Sequence, residues 1–501
     1  MATMSDANAV RRFLVAPADA DPDAVAVLDA PSGSARTRAG MVDHARRAAA
    51  ELVARGVQPE QRVMLVLADT AAFLDFFWGA MWIGAVPVPV STMLTEKDYR
   101  FLLEDSRAVG LVHSAEFAGT AGTAASDQPF LRWVIEEGGA LAHADPGPIF
   151  PSTADDVAFW LYTSGTTGFP KGAMHRHADL GFCTDAYARG VLGMTAADRV
   201  YSVAKLFFAY GLGNGGYFPA DTGATAILNP ARPLPGEVAD HVRTHRPTLF
   251  FGVPTFYAGL LATDVAADTF ESVRLGVSAG EPLPAEIHRR FRERFGVEIL
   301  DGIGTTELAH VFITNWPGRS KGGSSGTAVP GYEIELRDES GAPAAAGEPG
   351  RLFVAGESVM VGYWNRTERN RATLNGRFLA TGDTYRQEAD GTYTCLGRDD
   401  DMLKVGGIWV SPAEVEATIA ELDTVVMAAV VGAEDEHGLV KPKAFVVPTP
   451  SADRAALADE VVAHVRSRLA PYKYPRWVEV VDEVPTTATG KIKRYLLRDG
   501  G

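Results

Sequence analysis

From the N-terminus to about residue 300, short apolar runs alternate with segments of helical spacing, a rhythm that few folds can use. Residues 62–67 (RVMLVL) and 85–90 (AVPVPV) read as buried strands, and residues 41–55 (MVDHARRAAAELVAR), just before them, carry helical periodicity. The unit recurs at 226–228 before a helix over 237–244, and at 248–252 before another helix. Leu275–Ser278, a basic helix over Ala285–Phe295 and a strand over 298–300 continue it. Strands joined through helices pair in parallel and need those helices on their faces, so the spacing predicts an α/β architecture.

Between residues 331 and 395 the texture changes to turn-separated β segments: YEIELRD, GRLFVAG, GRFLATGD and GTYTCLG. They predict a smaller, β-barrel-like subdomain that closes the large one. From about Asp400 the chain restarts with two apolar strands (VVMAAVVG and KPKAFVVP), helices over 412–421 and 457–469, and a basic tail. A chain of 501 residues exceeds what one core organises, about 250–300 residues. The charged loop 398–401 is the expected boundary, giving an N-terminal domain of residues 1–399 and a small α+β C-terminal domain of residues 400–501. The Ala- and Gly-rich piece 118–126 reads as a surface loop.

A formal net charge of −16 argues against nucleic acid or an anionic membrane surface as a partner. Cys183 and Cys395 stand far apart with no ligand-spaced histidines, so neither a disulfide framework nor a zinc site is expected. The first residues hold no apolar core of a secretory signal, and no run approaches the roughly 18–20 apolar residues of a membrane span. A cytoplasmic location is the expectation.

Four motifs carry chemistry. Residues 162–172 (YTSGTTGFPKG) combine hydroxyls, glycines that admit a ligand to the backbone, and Lys171, a composition that can wrap nucleotide phosphates. It is not the common Gly-Lys-Ser/Thr loop, because Pro170 precedes Lys171 and Gly172 follows it. Residues 301–307 (DGIGTTE) can offer Thr306 and Glu307 to phosphate and magnesium, although alone they read equally as an ordinary turn. In residues 381–384 (TGDT) and 397–404 (GRDDDMLK), an Asp can accept ribose hydroxyls beside an Arg. Residues 489–494 (TGKIKR) alone would be a solvated basic tail.

In their order and spacing, the four together resemble the adenylate-forming superfamily of acyl-CoA synthetases, nonribosomal peptide adenylation domains and luciferases. The likeness runs from about Val25 to Arg498. It implies a large N-terminal domain, a small mobile C-terminal domain, and ATP and Mg²⁺ as requirements. By the same resemblance, Thr163, Ser164, Gly165, Thr166, Thr167 and Lys171 hold phosphates. Gly280 and Glu281 in the segment SAGE wall the adenine site, Asp301 meets the adenine amine and Ile303 packs on the ring. Thr306 holds the α-phosphate, Glu307 the metal, and Asp383 and Arg398 the ribose. Asp400 is the hinge, Lys491 the catalytic lysine, and Gly406 and Gly407 line the pantetheine tunnel.

Residues 205–215 (KLFFAYGLGNG) and the string DGIGTTELAHVF resemble the benzoate–CoA ligase branch. Carried over, Phe208, Ala209, Tyr210, Ala279, Gly304, His310 and Val311 line the acid pocket. Aromatic walls with small residues between them make a flat slot for one ring and block a long alkyl chain. FFAY as plain core packing, and His310 as a structural histidine, are the competing readings. The acceptor is CoA or the phosphopantetheine thiol of an acyl carrier protein. Basic residues on Ala285–Phe295 (Arg289, Arg290, Arg292, Arg294) and in the small domain (Lys441, Lys443, Lys473, Arg476) would suit either.

Overall fold

The structure, a computed structural model, describes residues 7–139, 145–163, 170–399, 401–405, 408–436, 439–486 and 492–498. The apolar runs before residue 300 pair in parallel, as their spacing predicts. One sheet orders Ile299–Gly304, Leu275–Ser278, Leu249–Gly252, Arg199–Ser202, Thr225–Leu228 and Val25–Asp29 side by side. Antiparallel strands finish its edges: Val311–Thr314 and Thr327–Ala328 on one side, Ala35–Thr37 on the other. A second parallel sheet orders Val86–Pro89, Arg62–Val66, Gly110–His113 and Trp133–Glu136. Arg62–Val66 is buried from its second residue onward, which is why it reads as a continuous apolar run rather than an alternating one.

Helix Arg38–Ala54 starts where the Thr37 hydroxyl accepts the Gly40 N–H at 3.1 Å, satisfying one of the orphan donors of the first turn. Its small residues meet Gly79 on the almost wholly buried helix Ala71–Trp82. A Cβ at Gly79 would lie 2.8 Å from Ala48 Cβ and 2.9 Å from the Ala45 carbonyl. The two helices approach closely because no side chain stands between them there.

Residues 118–126 are not the surface loop expected. Ala118–Gly122 continues the helical turn Ala115–Phe117, and Ala121 and Ala124 are buried against Tyr99 and Leu103. Alanines this small fill a shallow seam in the core, and composition alone does not distinguish that from a loop.

Val157–Thr163 and Lys171–Arg176 form an antiparallel hairpin extended by Gly362–Tyr363. The β segments after residue 331 form the β subdomain: Glu333–Arg337, Pro349–Ala355, Phe378–Gln387 and Tyr393–Arg398 pair antiparallel in that order, with Leu374–Asn375 also on Phe378–Gln387. The small domain has its own core, in which Val415, Ile419, Val430, Val446, Val461 and Val465 pack between helices Pro412–Ile419 and Leu457–Arg468 and strands Val425–Glu434 and Val440–Pro448. It meets the large domain where the Ile492 N–H donates to Glu281 Oε1 at 3.0 Å and where Arg290 pairs with Asp423 at 3.5 Å. No helix among the described residues is long and apolar enough to cross a membrane.

Gly79→Ala forces a methyl into the seam between the two helices. The expected loss is about 1–3 kcal/mol, the usual range for overpacking, read as a lower midpoint in urea unfolding. An unchanged midpoint would mean that the helices separate at no cost.

Candidate active site

Thr163 pairs with Lys171 at the neck of the hairpin, and residues 164–169 between them lie outside the described residues. Lys171 is buried, with Nζ 4.6 Å from the centre of the Tyr363 ring. Burial lowers its pKa, and the nearby Arg369, Arg398 and Arg366 lower it further against the pull of Glu307. Glu307 accepts from Tyr363 Oη at 2.5 Å and from the Thr305 hydroxyl. Burial opposes its ionisation, but these two hydroxyls and Lys171 outweigh it and hold the carboxyl below its ordinary value. Tyr363, whose pKa burial and Glu307 both raise, stays a proton donor.

Long-range hydrogen bonds fix this trio. His175, fully buried beyond Lys171, donates Nε2 to the Thr306 carbonyl at 2.7 Å, while its Nδ1 faces Asp179 Oδ2 at 3.0 Å. The Met360 N–H donates to the Glu307 carbonyl at 2.9 Å, and the Trp364 N–H to the Gly172 carbonyl at 2.9 Å. The hairpin, the 305–307 turn and the strand Gly362–Tyr363 are therefore one unit. His175, Asp179 and Tyr363 were not among the residues read from sequence. Two histidines within seven residues of Lys171 and the GYW string were the available signals.

Asp301 lies in strand Ile299–Gly304 beside Ser278, its parallel partner. Its Oδ2 accepts the Leu283 N–H at 3.3 Å, whereas Oδ1 is buried with no hydrogen-bond partner among the described residues. Burial drives this carboxyl well above its ordinary value, and the Ser278 hydroxyl eases it only from beyond hydrogen-bond geometry. Gly280 turns the chain with φ of 98° between buried Ala279 and Glu281. Ile303 is half-buried on the same strand as Asp301. Asp383 and Arg398 face each other in register on adjacent strands, with Arg398 Nη1 3.1 Å from Asp383 Oδ1. That neighbour raises the Arg398 pKa.

The other candidate residues cluster beyond the strand ends. Phe208 and Tyr210 are half-buried, and Ala209 is buried at the start of the short helix Ala209–Leu212. Tyr210 Oη donates to the Val277 carbonyl at 3.2 Å, which ties this wall to the sheet. Gly304 is required by the backbone, because a Cβ there would lie 2.7 Å from the His310 carbonyl, across the pairing with buried Val311. His310 is 2% exposed, packs among Tyr187, Tyr210 and Phe218, and faces Asn214 Oδ1 through Nε2 at 3.1 Å. Its Nδ1 has no hydrogen-bond partner among the described residues. Behind the wall, Asp69 accepts the Leu206 N–H at 3.1 Å, and burial pushes its carboxyl up to about 6.

Ser164, Gly165, Thr166, Thr167, Asp400, Gly406, Gly407 and Lys491 lie outside the described residues. The basic faces read from sequence are largely neutralised by their own neighbours: Arg289 by Glu286 and Glu293, Lys443 by Glu479, and Lys473 by Glu414. Arg294 caps backbone carbonyls of Leu261 and Thr263. No group of three or more His, Cys, Asp or Glu side chains that could hold a metal occurs among the described residues.

Glu307 near Lys171, the Asp383–Arg398 pair and the buried Asp301 carboxyl are the charged groups that this region brings together. The chain belongs to the AMP-binding enzyme family, whose model matches residues 14–364, with the family's C-terminal domain matched over residues 414–491. It is 45% identical over 475 residues to a 4-hydroxybenzoate–CoA/benzoate–CoA ligase of Rhodopseudomonas palustris, covering 91% of this chain and 87% of that one. A benzoate CoA ligase from Burkholderia xenovorans superposes with a TM-score of 0.91 at 42% identity, over 97% of this chain and 100% of that one. An anthranilate CoA ligase in complex with anthranoyl-AMP superposes with a TM-score of 0.93 at 37% identity, over 98% and 96%.

Burial holds the His310 imidazole down to about 3, against about 6.5 in an unfolded chain. Between those values the unfolded chain binds the extra proton, so this residue's contribution to stability falls as pH drops below 6.5. His310→Gln should flatten the loss by up to about 1.4 kcal/mol per pH unit between pH 6 and 4, read from urea unfolding at stepped pH. Parallel curves for the two proteins would show that His310 takes up no proton on unfolding.

Proposed function

We propose that this chain is an AMP-forming acid–thiol ligase that activates benzoate or a similar one-ring aryl acid with ATP and passes the acyl group to CoA. The observation that carries this reading is Glu307 held ionised by the Tyr363 and Thr305 hydroxyls, with Lys171 nearby at the neck of the phosphate-loop hairpin. The aromatic and small residues of FFAY beyond the strand ends, and relatives named for benzoates, support the aryl acid.

In the first half-reaction the aryl carboxylate oxygen bonds to the α-phosphorus of ATP, and the bond from that phosphorus to the bridging oxygen breaks, releasing pyrophosphate. Two anions must approach, so the protein's part is electrostatic. Lys171 and Thr163, with Ser164, Gly165, Thr166 and Thr167, hold phosphates. Thr306 holds the α-phosphate, and Lys491 meets the charge that grows there. Asp301, with its unpartnered oxygen, receives the adenine amine, Ile303 and the turn Gly280–Glu281 flank the base, and Asp383 and Arg398 hold the ribose. Glu307 suits Mg²⁺, because one ionised carboxylate together with substrate phosphates is the donor set this ion commonly takes. Bound there, Mg²⁺ would supply neutralisation of phosphate charge.

In the second half-reaction the CoA sulfur bonds to the acyl carbon, the bond to AMP breaks, and the thiol proton passes to solvent. AMP is a good leaving group, so no protein nucleophile is needed. Between the steps the domain of residues 400–501 turns on Asp400 relative to residues 1–399 and brings Gly406 and Gly407 to the pantetheine. Phe208, Ala209, Tyr210, Ala279, Gly304, His310 and Val311 surround the ring, Gly304 by letting two strands close rather than by leaving room for substrate. CoA is favoured over a carrier protein because the similar proteins are named as CoA ligases, and the pairing of Arg289, Lys443 and Lys473 reduces the basic surface open to an acidic protein. Use of ATP and CoA supports a cytoplasmic location.

A panel of aryl and alkyl acids, assayed with ATP against CoA and against acyl carrier proteins, tests the reading. Benzoate or a close one-ring acid should turn over faster than octanoate, with CoA as acceptor. Faster turnover of octanoate, or rapid acylation of a carrier protein with negligible benzoyl-CoA, would overturn the acid or the acceptor respectively. Lys491→Ala should slow adenylate formation by about 100- to 1,000-fold while thioester formation from preformed benzoyl-AMP stays within a few-fold. Equal loss in both half-reactions would remove that division of labour.

A further inference from the structure

Resting on the ligase reading above, we propose that Arg369 grips the terminal phosphates of ATP and the departing pyrophosphate. Helix Thr367–Thr373 follows directly on strand Gly362–Tyr363, whose Tyr363 pairs with Ala173 on the phosphate-loop hairpin. Asn370 clamps the helix there: its Oδ1 accepts the Tyr363 N–H at 2.7 Å and its Nδ2 donates to the Tyr363 carbonyl at 2.9 Å. The helix therefore presents its first turn to the neck of the loop, beside Lys171.

Two arginines occupy this stretch, and they differ in their partners. Arg366 is committed to Asp105, at 2.6 Å. Arg369 is half-buried, and its Nε is fully buried with no hydrogen-bond partner among the described residues. A buried N–H donor left without a partner is unfavourable, and here it lies on a cation among other cations. Of the three arginines acting on Lys171, Arg369 depresses its pKa most, ahead of Arg398 and Arg366. Among the described residues Lys171, Arg369, Arg398 and Arg366 gather here against Glu307, Asp383 and Asp105, and the excess of cations, with Arg369 the arginine not paired to a carboxylate, marks an anion seat.

Position and chemistry select the anion. Arg398 is tied to Asp383, the pair assigned to ribose, while Arg369 acts from the Lys171 side of the hairpin neck. An anion reaching from one to the other must be extended and multiply charged, which describes a polyphosphate. The planar fork of an arginine matches two oxygens of one phosphate, or one oxygen from each of two.

The test is aryl-acid-dependent ATP–pyrophosphate exchange with the full chain, the wild type beside Arg369→Gln and Arg369→Lys. The KM for pyrophosphate should rise about tenfold in the Gln variant and about threefold in the Lys variant, which keeps the charge but loses the fork, with the KM for benzoate within twofold of wild type. A pyrophosphate KM within twofold of wild type in a Gln variant of unchanged Tm overturns the assignment, as does an equal rise in the benzoate KM. If the Gln variant fails to fold, the Lys variant decides by the same criterion. A wild type without aryl-acid-dependent exchange would instead overturn the ligase reading itself.

Discussion

A carboxylate kept ionised in a half-buried setting is the interaction on which the rest of this site depends. Glu307 is charged because two hydroxyls donate to it and Lys171 stands near, and these groups come from three distant stretches of chain. The Tyr363 hydroxyl stays protonated because the charge it serves would oppose its own ionisation. Each member therefore fixes the protonation state of another. The fold's task is to hold the hairpin, the 305–307 turn and the strand Gly362–Tyr363 together, and main-chain hydrogen bonds do most of it. His175 adds the remaining link by joining the hairpin to the Thr306 carbonyl.

The acid side is built on the opposite principle. Around His310 the neighbours are aromatic, and burial keeps the imidazole neutral rather than charged. A neutral, aromatic surrounding of this kind would suit the uncharged ring of the proposed aryl acid. Strand Ile299–Gly304 runs into the 305–307 turn, so one short segment carries Asp301, Gly304 and Glu307, the residues proposed above for the base, the pocket and the phosphates. Crowding this many roles onto one segment explains why its sequence is so distinctive.

Much of this was legible before the structure because the signals are local. Leu275–Ser278 and Ala285–Phe295 fall where their spacing puts them. Asp383 lies in a β segment read from its turns, whereas Arg398, read as the start of a charged loop, instead ends strand Tyr393–Arg398 and pairs in register with Asp383. Residues 301–304 read as a turn because of their glycines, yet the strand continues through Gly304: pairing with Val311–Thr314, with a bulge at Ile303–Gly304, supports an extended glycine backbone that propensity alone would not. Tyr363, Arg369 and His175 were missed for a different reason. Their roles arise from pairing between segments far apart in sequence, and no local pattern records which strand will lie beside which. On helix Ala285–Phe295, Glu286 and Glu293 stand at helical spacing from Arg289 and pair with it, which a count of arginines alone does not record.

The contact between the domains has an energetic logic of its own. Arg290–Asp423 joins them at 3.5 Å, with the Asp423 side chain 89% exposed; such a pair contributes about 0–1 kcal/mol. The Ile492 N–H to Glu281 carboxylate bond adds about 1.5–3 kcal/mol, the usual net worth of a hydrogen bond to a charged group. Links of this size can be given up and re-formed between half-reactions, whereas a large apolar interface could not. They are also well placed, since Glu281 flanks the proposed base site and Ile492 directly follows Lys491 in sequence. Holding the small domain at the wall of the nucleotide site, by bonds weak enough to release, ties the position of the lysine's segment to the site it would serve in the first step alone.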